Sequence, residues 1–433
     1  MTQGDTFVIN GGKELIGKAE IYGAKNAVLP MLAASLLTDE EVEIKNCPNI
    51  ADIQSMLILL REVGAKVYVS GRNIRVRGQA RTCDLSPQIE KVMRSSMFML
   101  GALVSTLGEA KIAMPGGCKI GKRPLDILLA GLERLGAVCE QKNGVVTCHA
   151  NGLVGNKIVM RYPSVGATEN LIMAATLAKG KTTLINCARE PEIVSLVELL
   201  KAMGANIVGE GTSVVEIEGT DKLHCASVTP CADRIVAGTY LCALAICGGE
   251  ICLDRIRKRE VEQTLFALGK SIETYDDGVF LRARANGLSK SVGRRSQIYG
   301  FDDLSEAVAC DLTTGPYPLF ATDMQPIISA VKCFSTGIAK VKETVFENRF
   351  SHLVEMNKLG ANVRIAGDEA LIFRGDLHAG QMQAKDLRGG AALAVFAMGI
   401  AGESRVSGAK FVARGYEDFA KSYRKLGADI RLE

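Results

Sequence analysis

The segment MNKLGANVRIA, residues 356–366, reads as the last turn of a helix, a stop at Gly360 and the first residues of a strand. Gly360 stands where a helix ends in the left-handed backbone region, which glycine enters without steric cost. Val363 and Ile365 then alternate with polar neighbours, as in a half-buried strand. The same sentence is written five more times: LLREVGAKVYV (59–69), LERLGAVCEQ (132–141), LLKAMGANIVG (199–209), LFALGKSIETY (265–275) and YRKLGADIRLE (423–433). The stops are Gly64, Gly136, Gly204, Gly269, Gly360 and Gly427, evenly spread except for a longer interval between Gly269 and Gly360. A pattern repeated at this period marks a fold built from copies of one supersecondary unit.

A second pattern interleaves with the first. Helices of small apolar residues begin near Ala27, Ser95, Thr168, Arg234, Met324 and Gly389, for example TENLIMAATLAKGKTTLINC and RGGAALAVFAMGIAGESRVSG. They are apolar around most of their circumference, so each is expected to be enclosed rather than laid on a surface. Two helices and a few strands, six times over, predict an α/β fold: a two-domain inverted α/β barrel with three units per domain. The expected domains are residues 25–230, and residues 1–24 plus 231–433, with the active site in the cleft between them.

Composition narrows the function classes. Hydrophobic residues make up 47% and charged residues 23%, as in globular domains, and there is no Trp. A net charge of +4 over 433 residues leaves no footprint for nucleic acid. The basic stretch Lys290 to Arg295 reads as a solvated loop. The apolar run from Ile235 to Gly249 is shorter than the ~18 residues a membrane span needs. The N-terminal residues show no apolar leader. Thirteen cysteines without a secretory signal suggest a cytoplasmic, reducing compartment, most of them serving as small buried apolar residues. Cys139 and Cys148-His149 flank a hairpin without zinc-ligand spacing, and no metal or cofactor is expected.

Six places break the repeat with groups the unit does not need. Lys25, in Gly23-Ala24-Lys25-Asn26, opposes the macrodipole at the start of an enclosed helix, which is a good place for an anion. Cys118 lies in PGGCKIGKRP, where Lys119, Lys122 and Arg123 should lower its thiol pKa. Arg94 opens another enclosed helix. Arg189-Glu190-Pro191-Glu192 and Asp233-Arg234 fit a surface ion pair as well as a functional role. The second half offers Asp323, Glu347-Asn348-Arg349, Asp386-Leu387-Arg388 and Arg414-Gly415-Tyr416. Equivalent positions in a repeat fold converge, so Lys25, Arg94, Arg123, Arg349, Arg388 and Arg414 are expected to ring one cleft. Planar guanidiniums pair with both phosphate and carboxylate, which points to a substrate carrying both.

The motifs GAKNAVLP, PGGCKIGKRPLDI, PSVGATEN, AREPEIV, DRIVAGT, ATDMQ, ETVFENRF and DLR with RGYE downstream span nearly the whole chain. On these it resembles the UDP-N-acetylglucosamine 1-carboxyvinyltransferase family of enolpyruvyl transferases. The resemblance implies transfer of the enolpyruvyl group of phosphoenolpyruvate to the 3-hydroxyl of UDP-N-acetylglucosamine, with release of phosphate. Lys25, Asn26, Arg123, Arg349, Arg388 and Arg414 would hold phosphoenolpyruvate. Arg94, Arg123, Pro124, Leu125, Asp126, Ile127, Ser164, Val165, Gly166, Asp323 and Val345 would contact the sugar nucleotide, as would Asn26. Cys118 would protonate the methylene carbon, and Asp323 would take the hydroxyl proton. The same resemblance implies alkylation of Cys118 by epoxides such as fosfomycin. Ala413 departs from the family, which usually has Asp before the arginine at 414, and Leu128 stands where many members have His.

Overall fold

The computed structural model describes residues 4–85, 94–113, 125–293 and 310–433. They fall into two compact units. One runs from Tyr22 to Cys231; the other joins Ala232 and all that follows to the segment ending at Ile21.

Each unit carries three small sheets on one plan. In the unit from Tyr22, one sheet has the order Ala226–Val228, Glu41–Ile44, Asn73–Arg77, Lys66–Ser70. Its first pair is parallel and the remaining neighbours are antiparallel. The strand after Gly64 forms one edge, and the tight turn at Gly71 returns the chain beside it. Lys157–Val159, Lys181–Ile185, Val214–Glu218 and Asn206–Val208 repeat this order. The third sheet is Glu109–Ala113, Val145–His149, Val138–Lys142, with a single parallel bridge from Asp84 to Lys111 at its open side.

The other unit repeats the plan with Leu15–Glu20, Gly249–Asp254, Phe280–Ala285 and Glu273–Asp276, and with Leu312–Thr313, Ile338–Lys342, Glu369–Phe373 and Asn362–Ala366. In its last sheet the place of the hairpin strand is taken by Thr6–Gly11, antiparallel to both Gly402–Ser407 and Asp429–Leu432. Six copies of one plan give the two-domain inverted α/β barrel expected from the repeat.

Six inner helices lie beneath these sheets: α1 (Lys25–Ala34), α2 (Met99–Leu107), α3 (Val165–Thr176), α4 (Arg234–Cys247), α5 (Gln325–Lys332) and α6 (Leu387–Met398). Ile235–Cys247 of α4, Arg388–Met398 of α6 and all of α5 are buried. Burial on every side explains why these helices carry no polar stripe. Small residues let them touch: a Cβ on Gly101 of α2 would lie 2.3 Å from the Asn170 carbonyl of α3. The repeat glycines all have positive φ, from 86° to 105° at five stops. Gly269, with φ 53° and ψ −133°, leads instead into the 3-10 turn Gly269–Ser271 at the start of the longer interval.

Two expectations are refined here. Lys290 belongs to the 3-10 turn Leu288–Gly293 and pairs with Glu14, while Arg295 lies outside the described residues. Cys47, Cys187, Cys242, Cys247 and Cys333 are buried thiols, but Cys139 and Cys148 are joined in a disulfide. The sequence set these two on facing strands without indicating the bond, because their pairing depends on the hairpin register. Among the described residues no helix is long and apolar enough to cross a membrane.

Candidate active site

In the unit that includes Ala232, Asp323 sits two residues before the first residue of α5, and its carboxylate faces two guanidiniums. Oδ1 accepts from Arg349 Nη2 at 3.0 Å; Oδ2 accepts from Arg388 Nε at 3.1 Å, with Arg388 Nη2 also at 3.1 Å. The arginine side chains are 2% and 3% exposed, against 28% for Asp323. Two buried cations thus stand behind one accessible carboxylate, a group of net positive charge. Arg349 Nε makes no hydrogen bond and is buried.

Local sequence sets each of these side chains. Asp386 caps α6, its Oδ1 accepting from Arg388 N and Gly389 N at 3.1 and 2.9 Å, which fixes Arg388 in the first turn. Arg388 lies over the Tyr416 ring at 5.4 Å, and the Tyr416 hydroxyl meets Thr239 Oγ1 of α4 at 2.8 Å. Burial opposes the charge on Arg388, yet Asp323, Tyr416 and Asp233 outweigh it and hold its pKa above the ordinary arginine range. Asp233 caps α4 through Ile235 N and Val236 N. Arg414 is half-buried two residues before Tyr416.

Glu343 was not singled out from the sequence, although it opens ETVFENRF. It is 2% exposed; Oε1 accepts from Val345 N and Phe346 N at 2.9 and 3.2 Å, and Oε2 from Thr322 Oγ1 at 2.9 Å. One carboxylate therefore holds both the loop with Val345 and the residue beside Asp323.

His352, three residues after Arg349, is also buried, and neither ring nitrogen has a partner. Burial, reinforced by the Arg349 charge, pushes its pKa down to about 3. The unfolded chain protonates this histidine below about 6.5. Between those values the unfolded state binds the extra proton, so stability is complete above about 6.5 and falls as pH drops towards about 3. His352→Leu should flatten this part of the profile, read as chemical-denaturation midpoints between pH 4 and 7; an unchanged slope would assign the acid sensitivity elsewhere.

In the unit from Tyr22, Lys25 is the first residue of α1 and 9% exposed, paired with Asp52 Oδ2 at 2.6 Å. Asn26 beside it is half-buried. Arg94 opens the 3-10 turn Arg94–Phe98 that leads into α2. Ser164 caps α3, its Oγ accepting from Ala167 N at 3.4 Å. Val165 and Gly166 form the first turn, half-buried, and the missing side chain of Gly166 leaves open space beside the backbone. A helix N-terminus with an uncovered face suits an anionic ligand. Leu125, Asp126 and Ile127 begin the helix Asp126–Arg134, which packs on α3 through Gly131 against Leu171. Asp126 pairs with Arg161, which lies outside the sequence motifs. Leu128 is buried in the core. Cys118, Arg123 and Pro124 lie outside the described residues.

Glu169, on α3, was likewise unmarked. It is fully buried, and both carboxylate oxygens lack partners. Burial, then the charges of Glu190 and Glu192, raise its pKa well above the ordinary value. A carboxyl whose folded pKa is raised costs stability as pH climbs above about 4.5. Glu169→Leu should therefore raise stability at pH 8 by about 1–3 kcal/mol, the usual cost of one unsatisfied buried polar group. The gain should shrink at pH 5, where the parent carboxyl keeps its proton; an equal gain at both pH values would trace it to packing alone.

The comparisons cover nearly the whole chain. The family model described as EPSP synthase (3-phosphoshikimate 1-carboxyvinyltransferase) matches residues 9–423. UDP-N-acetylglucosamine 1-carboxyvinyltransferase 2 of Caldanaerobacter subterraneus subsp. tengcongensis is 41% identical over 429 residues, covering 98% of each chain. UDP-N-acetylglucosamine 1-carboxyvinyltransferase of Gluconobacter oxydans is 40% identical over 431 residues, covering 98% of this chain and 99% of the relative. Among solved structures, the enolpyruvyl transferase NikO from Streptomyces tendae superposes with a TM-score of 0.84 at 23% identity, covering 99% of both chains. EPSP synthase from Acinetobacter baumannii reaches 0.73 at 16% identity, over 98% of this chain and 99% of that one. At such low identity the two structures speak for the fold alone.

Proposed function

Since the chain belongs to the EPSP synthase family and, within it, to the UDP-N-acetylglucosamine 1-carboxyvinyltransferases, we infer that it transfers an enolpyruvyl group to UDP-N-acetylglucosamine. The donor is phosphoenolpyruvate, the acceptor oxygen is the 3-hydroxyl, and phosphate is released. The product serves peptidoglycan precursor synthesis. The observation that carries this reading is identity of 41% and 40% to two relatives of that name across nearly the whole length. The pairing of Asp323 with Arg349 and Arg388 supplies matching chemistry.

The chemistry is an addition followed by an elimination. Asp323, ionised between its two arginines, takes the proton of the acceptor hydroxyl as the oxygen attacks carbon 2 of the enol. Cys118 delivers a proton to carbon 3. Loss of a proton from carbon 3 then expels phosphate and restores the double bond. General acid and base assistance of this kind is worth about 10²–10⁴-fold for each group. Lys25, Asn26, Arg123, Arg349, Arg388 and Arg414 hold the phosphate and carboxylate of phosphoenolpyruvate. Arg94, Arg123 to Ile127, Ser164 to Gly166, Asp323 and Val345 meet the sugar nucleotide. The reaction takes place in the cytoplasm, and epoxides of the fosfomycin type alkylate Cys118.

The test is phosphate release from phosphoenolpyruvate with UDP-N-acetylglucosamine and shikimate 3-phosphate as separate acceptors. Release with the sugar nucleotide alone is expected. Release with shikimate 3-phosphate alone would overturn the assignment, and nucleotide binding without release from either acceptor would make the chain a sugar-nucleotide sensor.

A further inference from the structure

We propose that Cys139 and Cys148 form a thiol–disulfide exchange site, cycling between a dithiol and an intramolecular disulfide by reaction with small disulfides of the glutathione class. The two residues are direct partners in the antiparallel register of Val138–Lys142 and Val145–His149. Their Cα atoms are 4.2 Å apart and their sulfurs are bonded. The separation belongs to the ladder, where closely spaced antiparallel partners stand about 4.5 Å apart with or without a bond. Reduction therefore leaves the thiols facing each other, and reoxidation requires no rearrangement of the backbone.

The surroundings give the pair an order of reaction. Cys139 is half-buried on the edge strand, whereas Cys148 is fully buried on the central strand. Of the two, only Cys139 is open to a dissolved disulfide. Its thiolate attacks one sulfur of glutathione disulfide, forming a mixed disulfide and releasing one glutathione. Cys148, deprotonated, then attacks Cys139 Sγ, forming the intramolecular bond and releasing the second glutathione. The two protons given up by the protein thiols pass to the two glutathione thiolates released, the protein sulfurs are oxidised by two electrons, and one glutathione disulfide is reduced to two glutathiones. Such exchange requires a thiolate with access to the incoming sulfur. Cys47, Cys187, Cys242, Cys247 and Cys333 are buried away from a dissolved disulfide, and Cys225 is exposed but free, whereas Cys139 and Cys148 are joined to each other.

The site has a defined place in the fold. Cys148 pairs on its other side with Ala110 of Glu109–Ala113, the strand that runs up to residue 113, five positions before Cys118 in the sequence.

The experiment equilibrates the full chain in glutathione buffers from fully reducing to fully oxidising, then traps thiols by alkylation and maps peptides by mass spectrometry. Positions 139 and 148 should lose alkylation together, as one two-electron couple, and regain it on return to the reducing buffer. In Cys148→Ser, position 139 should accumulate as the glutathione mixed disulfide. In Cys139→Ser, position 148 should stay a free thiol and react at least about tenfold more slowly. Thiols at both positions throughout the oxidising range would overturn the proposal. So would equally fast glutathione addition to Cys148 in Cys139→Ser, or a bond that no reducing buffer opens in the folded chain.

Discussion

Cys118→Ser should lower turnover by about 10²–10⁴-fold, the span that a positioned proton donor contributes. A serine hydroxyl is far too weak an acid to protonate the enol carbon, although it occupies nearly the same volume. Cys118→Asp should keep measurable activity, because a carboxylic acid can donate a proton, and it should resist the epoxide proposed to alkylate the parent. In the sequence Lys119, Lys122 and Arg123 flank Cys118 and should favour the thiolate, whereas proton donation needs the thiol. The negative charges of bound substrate should raise the thiol pKa and return the proton. Alkylation by fosfomycin should accordingly speed up as pH rises in the free enzyme. Steady-state rates of the three proteins, with and without epoxide pretreatment, decide the matter. A serine variant as fast as the parent would remove Cys118 from the chemistry, and full activity after pretreatment with excess epoxide would remove its exposure.

Asp323→Ala should be the most damaging change on the other side of the reaction. It deletes the proposed base, for an expected loss of about 10²–10⁴-fold in kcat. It also leaves Arg349 and Arg388 buried and facing each other without their carboxylate. Breaking a buried pair by removing one partner costs about 3–5 kcal/mol, and the partly exposed carboxylate places this case near the lower figure. The two losses separate by experiment. Added phosphate should settle between the guanidiniums and recover part of the thermal stability without restoring turnover. Parental kcat in this variant, with stability alone reduced, would make Asp323 a purely structural partner of the two arginines.

How much of this was legible beforehand depends on the range of each interaction. The six glycine stops could be read directly because a left-handed residue at a helix end is a local demand. The inner helices could be read because enclosure removes the polar stripe from the helix itself. Lys25, Asp323 and Arg388 were visible as charges at the starts of apolar helices, where the repeat gives no reason for them. Glu343, Glu169 and His352 were not. Each resembles an ordinary surface residue in sequence, and only burial reveals that Glu343 organises a loop while the other two lie buried without partners.

The sequence by itself determined the repeating unit, its number, its enclosed helices and the family, since these rest on periodicity and on motifs contiguous in the chain. Tertiary structure alone decided which strand completes the sixth sheet, Thr6–Gly11, because sheet pairing joins residues remote along the chain. It also decided that Asp323 faces two arginines and that Cys139 meets Cys148. Those contacts depend on helix starts and strand registers that come together only when the sheets close around their helices.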